Sequence, residues 1–351
     1  MHHHRVIDHP SAWRAADFGC KADFATALTA IQVDRLRELA ARAAKIDKPI
    51  EEITLEDVNF PSLTADLSNW REAVLNGRGI LLLTGFSLEG LSQRECEAVF
   101  WWLGLQFGQA QSQSVLGDRL GHVVGSGGKD PSERAYRNSL ELALHTDTSD
   151  VVAMFCLRKA LSGGLSGYCS GPSIYNAFVT QRPELLAPMM RGFHYHRFGE
   201  EGPGESPITP QQIPVFSYCD DVLSVSYLRG YIDMAMREMG RAYSDEELAA
   251  LTFFEETASR PDMMLTFMLE PGELVFFHNY SVLHTRTAFE DAPNPAERRH
   301  LLRLWLNVPD ARPTLAALRP YGGAAGITPQ EDRKSARYRG ETPYVEFPNN
   351  D

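Results

Sequence analysis

The chain has 351 residues, 43% of them hydrophobic and 23% charged, and a formal net charge of −12. That is enough chain for one large domain or two modest ones, and the acidic balance argues against a nucleic-acid surface, which needs clustered Lys and Arg. No run approaches the roughly 20 apolar residues of a membrane span. The opening MHHHRVIDHP lacks the apolar stretch of a secretory leader; its histidines at 2–4 are left out of the metal reasoning. The five cysteines, Cys20, Cys96, Cys156, Cys169 and Cys219, are scattered and contain no C-x-x-C pair, so neither a zinc knuckle nor a disulfide framework is indicated. These features fit a protein of the reducing cytoplasm. They predict a small-molecule ligand and no nucleic-acid or membrane partner, and leave a homo-oligomer open.

In chain order, 34–46 carries Leu36, Leu39, Ala40 and Ala43 at helical spacing. A helix over 70–79 closes on Gly, GILLLTGF (79–86) reads as an apolar strand, and 91–108 reads as a helix with Ser92 and Glu95 as a capping box. Beyond about residue 110 the pattern turns to short strands bounded by Gly, Pro, Asp and Asn: 151–158, 164–171, 193–198, 263–269, 273–279 and 299–308. Helices interrupt them at 173–181 and, as a pair whose second member starts at Ser244, over 227–259. The Gly- and Pro-rich run 197–214 is long for a compact domain and is expected to be either a functional loop, such as a lid, or disordered. The sum is an α+β fold with a jelly-roll core, N-terminal helices and a helical insert. It divides into an N-terminal helical extension (1–75), the core (76–308, with the insert at about 173–260) and a loop-rich tail (309–351).

The chemistry is concentrated in a few polar residues set among apolar strands. His145 and Asp147 in LALHTDTSD stand two apart, so on a strand they share a face. An imidazole and a carboxylate side by side supply two of the three ligands of a 2-His-1-carboxylate triad, which leaves three positions of an octahedral iron open for a bidentate 2-oxo acid and dioxygen. The third ligand must come from FFHNYSVLHTR (276–286), where His278 and His284 compete. An H-x-D pair alone is more often a hydrogen-bonded strand residue with a neighbour than a metal site. Downstream, Arg299, Leu301 and Arg303 alternate onto one strand face. Inward guanidiniums on so apolar a strand need anions, and a dicarboxylate suits them; the plainer alternative pairs them with Glu290 or Asp291 at an edge.

Taken in order, His145-Thr146-Asp147, Gly163-Gly164-Leu165-Ser166, Pro271-Gly272-Glu273, Asn279 to His284, and Arg299 to Arg303 resemble the TauD/TfdA group of iron(II)/2-oxoglutarate dioxygenases, related to clavaminate synthase and γ-butyrobetaine hydroxylase. The resemblance spans roughly 75–308. It implies a double-stranded β-helix, with His145, Asp147 and His284 as iron ligands. It further implies Arg299 and Ser166 on the distal carboxylate of 2-oxoglutarate, and Arg303 near its keto-acid end or a substrate anion. The segment from His284 to the Arg pair is longer than in the taurine enzyme, and Arg298 beside Arg299 permits a slip of one position. Asp147 argues against halogenation, since related halogenases lack that carboxylate. Hydroxylation of a small, anionic or amino-acid-like substrate, with succinate and carbon dioxide released, is the reaction implied; desaturation, cyclisation or demethylation would use the same residues. Arg137 and Asn138 are candidate substrate contacts, although a solvated loop is the commoner role for such residues. Trp101 and Trp102 read as core rather than a cation cage. His194 and His196 share a face but lack a carboxylate partner in a matching motif, which weakens a cupin-like or zinc-hydrolase alternative. A non-catalytic binding module would have no reason to keep inward charges.

Overall fold

Strands buried on both faces must satisfy two neighbours at once, and the strand His300–Asn307 shows how. Its even positions, Leu302, Leu304 and Leu306, join the helical layer outside, while Leu301 and Trp305 point into the space between two sheets. The computed structural model describes residues 5–125, 138–309 and 312–333. The larger sheet runs Thr26–Ala27, Ile80–Thr84, Leu274–His278, Val151–Arg158, His300–Asn307 and Gln109–Ala110, with Leu120–Val124 also paired to His300–Asn307. Only the first pair is parallel. The smaller sheet is antiparallel, in the order Met264–Phe267, Ser166–Ser170, Val282–Arg286, Leu142–His145. Tyr168, Phe267, Val275, Phe277, Leu301 and Trp305 fill the gap between them. This is the expected α+β jelly roll.

Helices Ala30–Ala43, Thr64–Leu75 and Gln93–Phe107 cover the outer face of the larger sheet. The ring of Phe107 stacks on Phe276 at 4.5 Å. Gly104 meets Leu304 so closely that a β-carbon there would collide with Leu304 Cδ1. The capping box forms as read, with Ser92 Oγ accepting from the Glu95 N–H and the Glu95 carboxylate accepting from the Ser92 N–H. Trp101 and Trp102 are core, their indoles donating to the Ile53 and Val58 carbonyls at 2.8 and 2.9 Å.

The insert packs on the other side of the molecule. Gly171–Gln181, Leu186–Arg191, Arg229–Glu238, Asp245–Ser259 and the hairpin Phe216–Cys219/Val222–Val225 share a core with Cys169 and Leu283. Cys169 and Leu283 are the outward residues of the smaller sheet. Their neighbours in sequence, Tyr168 and His284, therefore face inward.

Two expectations need correcting. The helix expected over 70–79 is Thr64–Leu75, because the Pro61–Leu63 turn starts it earlier and Asn76 ends it. The segment 193–198 is not a strand. It makes single bridges, Phe193 to Ile213 and His196 to Ile208, with the Gly/Pro-rich run that doubles back over it. That run is tied to the tail: Gln330 Nε2 donates to the Glu201 carbonyl and Arg333 Nη1 to that of Gly199. Among the described residues no helix is long and apolar enough to cross a membrane.

Candidate metal centre

Antiparallel pairing brings the two histidines together from across the chain. His284 lies directly opposite His145 on one neighbouring strand and opposite Tyr168 on the other. The imidazole centroids of His145 and His284 are 4.1 Å apart. Asp147 Oδ1 is 3.7 Å from His145 Nε2, and its Oδ2 is 3.7 Å from His284 Nε2. Among the described residues these three form the one cluster of potential metal ligands, with ligand atoms within 4.8 Å of one another.

Asp147 arrives by a route other than a shared strand face. The strand ends at His145, and Asp147 sits in the turn beyond it. That turn is fixed by Asn279, which is fully buried. Asn279 Oδ1 accepts from the Asp147 N–H at 2.8 Å, and its Nδ2 donates to the carbonyls of Asp147 at 2.7 Å and Ser149 at 2.9 Å.

The electrostatics suit a divalent ion. Burial pushes the His145 pKa down, partly opposed by Asp147. Burial and the nearby His145 push that of His284 down to about 3. Both rings are thus neutral, with lone pairs available. His145 Nδ1 pairs with the Ala143 carbonyl at 2.8 Å, which leaves Nε2 as its ligand atom. For Asp147, burial pushes the carboxyl pKa up, but Arg303, the two histidines and the indole N–H of Trp305 outweigh it and hold the carboxylate ionised. Two neutral imidazoles and one carboxylate on one side of a common point are the donor set of a facial triad, so these residues fit iron(II).

Around the triad, Trp305 Nε1 donates to Asp147 Oδ2 at 2.8 Å. The guanidinium of Arg303 lies 4.9 Å from the Trp305 ring, and its Nε donates to Gln113 Oε1 at 2.6 Å. Gln113 in turn donates to the Arg303 and Arg119 carbonyls. Gly121 pairs with Arg303 across the sheet, and a β-carbon at Gly121 would lie 2.9 Å from Gln113 Oε1, so glycine leaves the room that Gln113 needs.

Arg299 precedes its strand by one residue and is 5% exposed, whereas Arg298 is half-buried and its carbonyl accepts from Arg158 Nε. The inward arginine is therefore Arg299. Its backbone N–H, not its guanidinium, bonds Asp291, and Nη1 has no hydrogen-bond partner among the described residues. Burial lowers its pKa. Buried Ser166 lies opposite Arg286. Arg286 and Arg299 lie 4.7 and 5.2 Å from the Phe289 ring. Burial, with Arg299 nearby, pushes the Arg286 pKa down to about 9. Two buried guanidiniums beside one ring make an anion-seeking compartment.

His278 does not join the triad. It lies on the strand Leu274–His278 and is fully buried; burial and Arg312 push its pKa down to about 3. Asn138 is buried, its Oδ1 accepting from the Leu140 N–H and its carbonyl from Arg286; Arg137 lies outside the described residues. His196 pairs with Glu238 at 3.0 Å, and His194 with the Thr209 carbonyl. Sequence reasoning missed Gln113, Arg286 and Trp305. Trp305 alone left a signal, since it continues the inward alternation of Arg299, Leu301 and Arg303.

The family described as "Taurine catabolism dioxygenase TauD, TfdA family" matches residues 45–305. The chain belongs to the TauD/TfdA family. It is accordingly an iron(II)/2-oxoglutarate-dependent oxygenase. FR-33289 synthase of Streptomyces rubellomurinus is 35% identical over 266 residues, 74% of this chain and 78% of the relative. Taurine hydroxylase-like protein SAT17 of Stachybotrys chartarum is 25% identical over 313 residues, 84% and 77% of the two chains. Among solved structures, asparagine oxygenase in complex with Fe(II), 2S,3S-3-hydroxyasparagine and succinate has a TM-score of 0.65 at 17% identity, covering 81% of this chain and 94% of its own. The non-heme iron oxygenase OrfP with Fe and alpha-ketoglutaric acid has a TM-score of 0.61 at 14% identity, covering 85% and 100%. These likenesses place the TauD/TfdA chain in the same jelly-roll fold.

Proposed function

We propose that the chain hydroxylates an unactivated C–H of a small substrate carrying an anionic or amino-acid-like group, at iron held by His145, Asp147 and His284. Iron(II) with 2-oxoglutarate and dioxygen supplies the oxidising power, and succinate and carbon dioxide are the coproducts. The chain's own part is to place the reactants and exclude water. Arg299 and Ser166 take the distal carboxylate of 2-oxoglutarate, and Trp305 fixes one oxygen of Asp147.

The observation that carries the substrate class is Arg303. It is a buried cation, 7% exposed, and the charge that most strongly lowers the Asp147 pKa. What a guanidinium beside the metal ligands offers a substrate is a fork that pairs with an anion, and a substrate anion there would also orient its C–H toward the metal. An amino-acid carboxylate, sulfonate or phosphonate meets the requirement. The relatives agree in kind: asparagine oxygenase holds 3-hydroxyasparagine, and OrfP has been solved with (3S)-hydroxy-L-Arg.

The test is an anaerobic titration with iron(II) and 2-oxoglutarate that follows the visible charge-transfer band of the chelate. A screen of small carboxylates, amino acids, sulfonates and phosphonates for stimulated succinate release comes next. His145→Ala should lose the band and the release, and Arg303→Gln should keep the band and lose the stimulation. Parental succinate release by His145→Ala would defeat the metal assignment; stimulation confined to cationic or neutral compounds would defeat the substrate class.

A further inference from the structure

The inward face of the smaller sheet is organised in rows. One row is His145, His284 and Tyr168, paired across three strands; the next, two residues along, is Arg286 and Ser166. Two residues of strand cover roughly 7 Å, a span comparable to a five-carbon dicarboxylate whose one end sits at the metal. The distal carboxylate then falls beside the second row, under Arg299.

Tyr168 belongs to the metal row by register but reaches toward the second. Its ring stacks on Phe267 (5.4 Å, 25°) and meets Phe277 edge-on (5.5 Å, 66°), and Phe277 in turn lies 4.9 Å from His284. The residue is 1% exposed. Its phenol lies beside the Ser166 hydroxyl and within electrostatic reach of Arg299. Burial pushes the phenol pKa up, so the O–H remains a donor. Two hydroxyls side by side offer two O–H donors to the same space. Beside them Arg299 Nη1 has no hydrogen-bond partner among the described residues, so an oxygen anion lying between the two hydroxyls and this buried guanidinium would take a bond from each.

We infer that Tyr168 is a third donor to the distal carboxylate of 2-oxoglutarate, completing a pocket with Arg299 and Ser166. The inference rests on the reading of Arg299 and Ser166 given above and adds a residue that the motif pattern does not mark.

Tyr168→Phe removes one oxygen and keeps the ring packing. The measurement is the anaerobic dissociation constant of the iron(II)-loaded protein for 2-oxoglutarate and for 2-oxobutanoate, which has the same chelating end and no distal carboxylate. A hydrogen bond to a charged group predicts about a tenfold or greater loss of 2-oxoglutarate affinity and an unchanged constant for 2-oxobutanoate. Unchanged 2-oxoglutarate affinity would overturn the inference. So would an equal loss for both acids, since Tyr168 would then act on the metal end through its packing near His284. Arg299→Gln, measured in parallel, separates the two levels. If it leaves 2-oxoglutarate affinity intact, the pocket itself is misplaced; if it weakens binding while Tyr168→Phe does not, only the role of Tyr168 fails.

Discussion

Asn279→Ala should loosen the metal centre without touching a ligand. The side chain makes three hydrogen bonds to the backbone of the Asp147 turn, at 2.8, 2.7 and 2.9 Å, and none of its surface is exposed. At about 1 kcal/mol net per bond, the loss is about 3 kcal/mol, and larger where the orphaned groups stay dry. That is a large share of the roughly 5–15 kcal/mol that stabilises a typical protein. The backbone bond from the Asn279 N–H to the Asp150 carbonyl, 2.9 Å, survives the change. Asn279→Asp sharpens the test. It keeps the acceptor for the Asp147 N–H but turns a carboxylate oxygen toward two carbonyls, so it should be worse than alanine. Urea unfolding of the metal-free protein gives the order, expected as Asn, then Ala, then Asp, and titration with iron(II) should show weakened binding in both variants. An alanine variant within 1 kcal/mol of the parent, or an Asp variant more stable than Ala, would refute the claim that these bonds build the turn.

Gly104→Ala should lower stability by about 1–3 kcal/mol through overpacking against Leu304, against a helix-propensity gain of about 1 kcal/mol; a rise in the unfolding midpoint would show that the helix can move off the sheet. His278 has its pKa pushed down to about 3 by burial. Above about pH 6.5 it is neutral in both folded and unfolded chains; below that the unfolded chain takes up the proton first, so stability falls as pH drops from about 6.5 toward 3. His278→Leu should flatten that slope by about one proton, roughly 1.4 kcal/mol per pH unit, and an unchanged slope would mean that His278 is protonated in the fold. Gln113→Leu removes the acceptor for Arg303 Nε and should raise KM for the anionic substrate about 10- to 100-fold, leaving the dissociation constant of 2-oxoglutarate within a factor of two; equal losses in both would assign Gln113 to general packing.

The histidine, aspartate and arginine positions were legible because each lies in a short segment whose apolar surroundings make a buried polar residue conspicuous. The jelly roll was legible for a related reason, since Val151–Arg158, Leu274–His278 and His300–Asn307 are dense enough in branched and aromatic residues to have no other use. Contacts set by register between distant segments left no local trace. Gln113 reaches Arg303 across 190 positions, and Gly121 makes room for it. The turn that carries Asp147 was read as continued strand because alternation cannot say where a strand stops; an amide 132 residues away decides that. At 193–198 the His and aromatic alternation imitates a strand, while the partner that would complete one is a Gly/Pro-rich loop offering only isolated bridges.

The anchoring of Gln113 has a wider consequence. Its segment is gripped by the far end of the chain: Ser112 bridges Gly326, Gln111 bonds the Ala324 carbonyl, and the Gln330 N–H reaches Val115. Substitutions in this C-terminal strap would be transmitted to the arginine beside the metal while leaving the histidine strands untouched. With Arg303 in its proposed role, evolution or an engineer would have in this strap a handle on substrate choice that alters no ligand side chain.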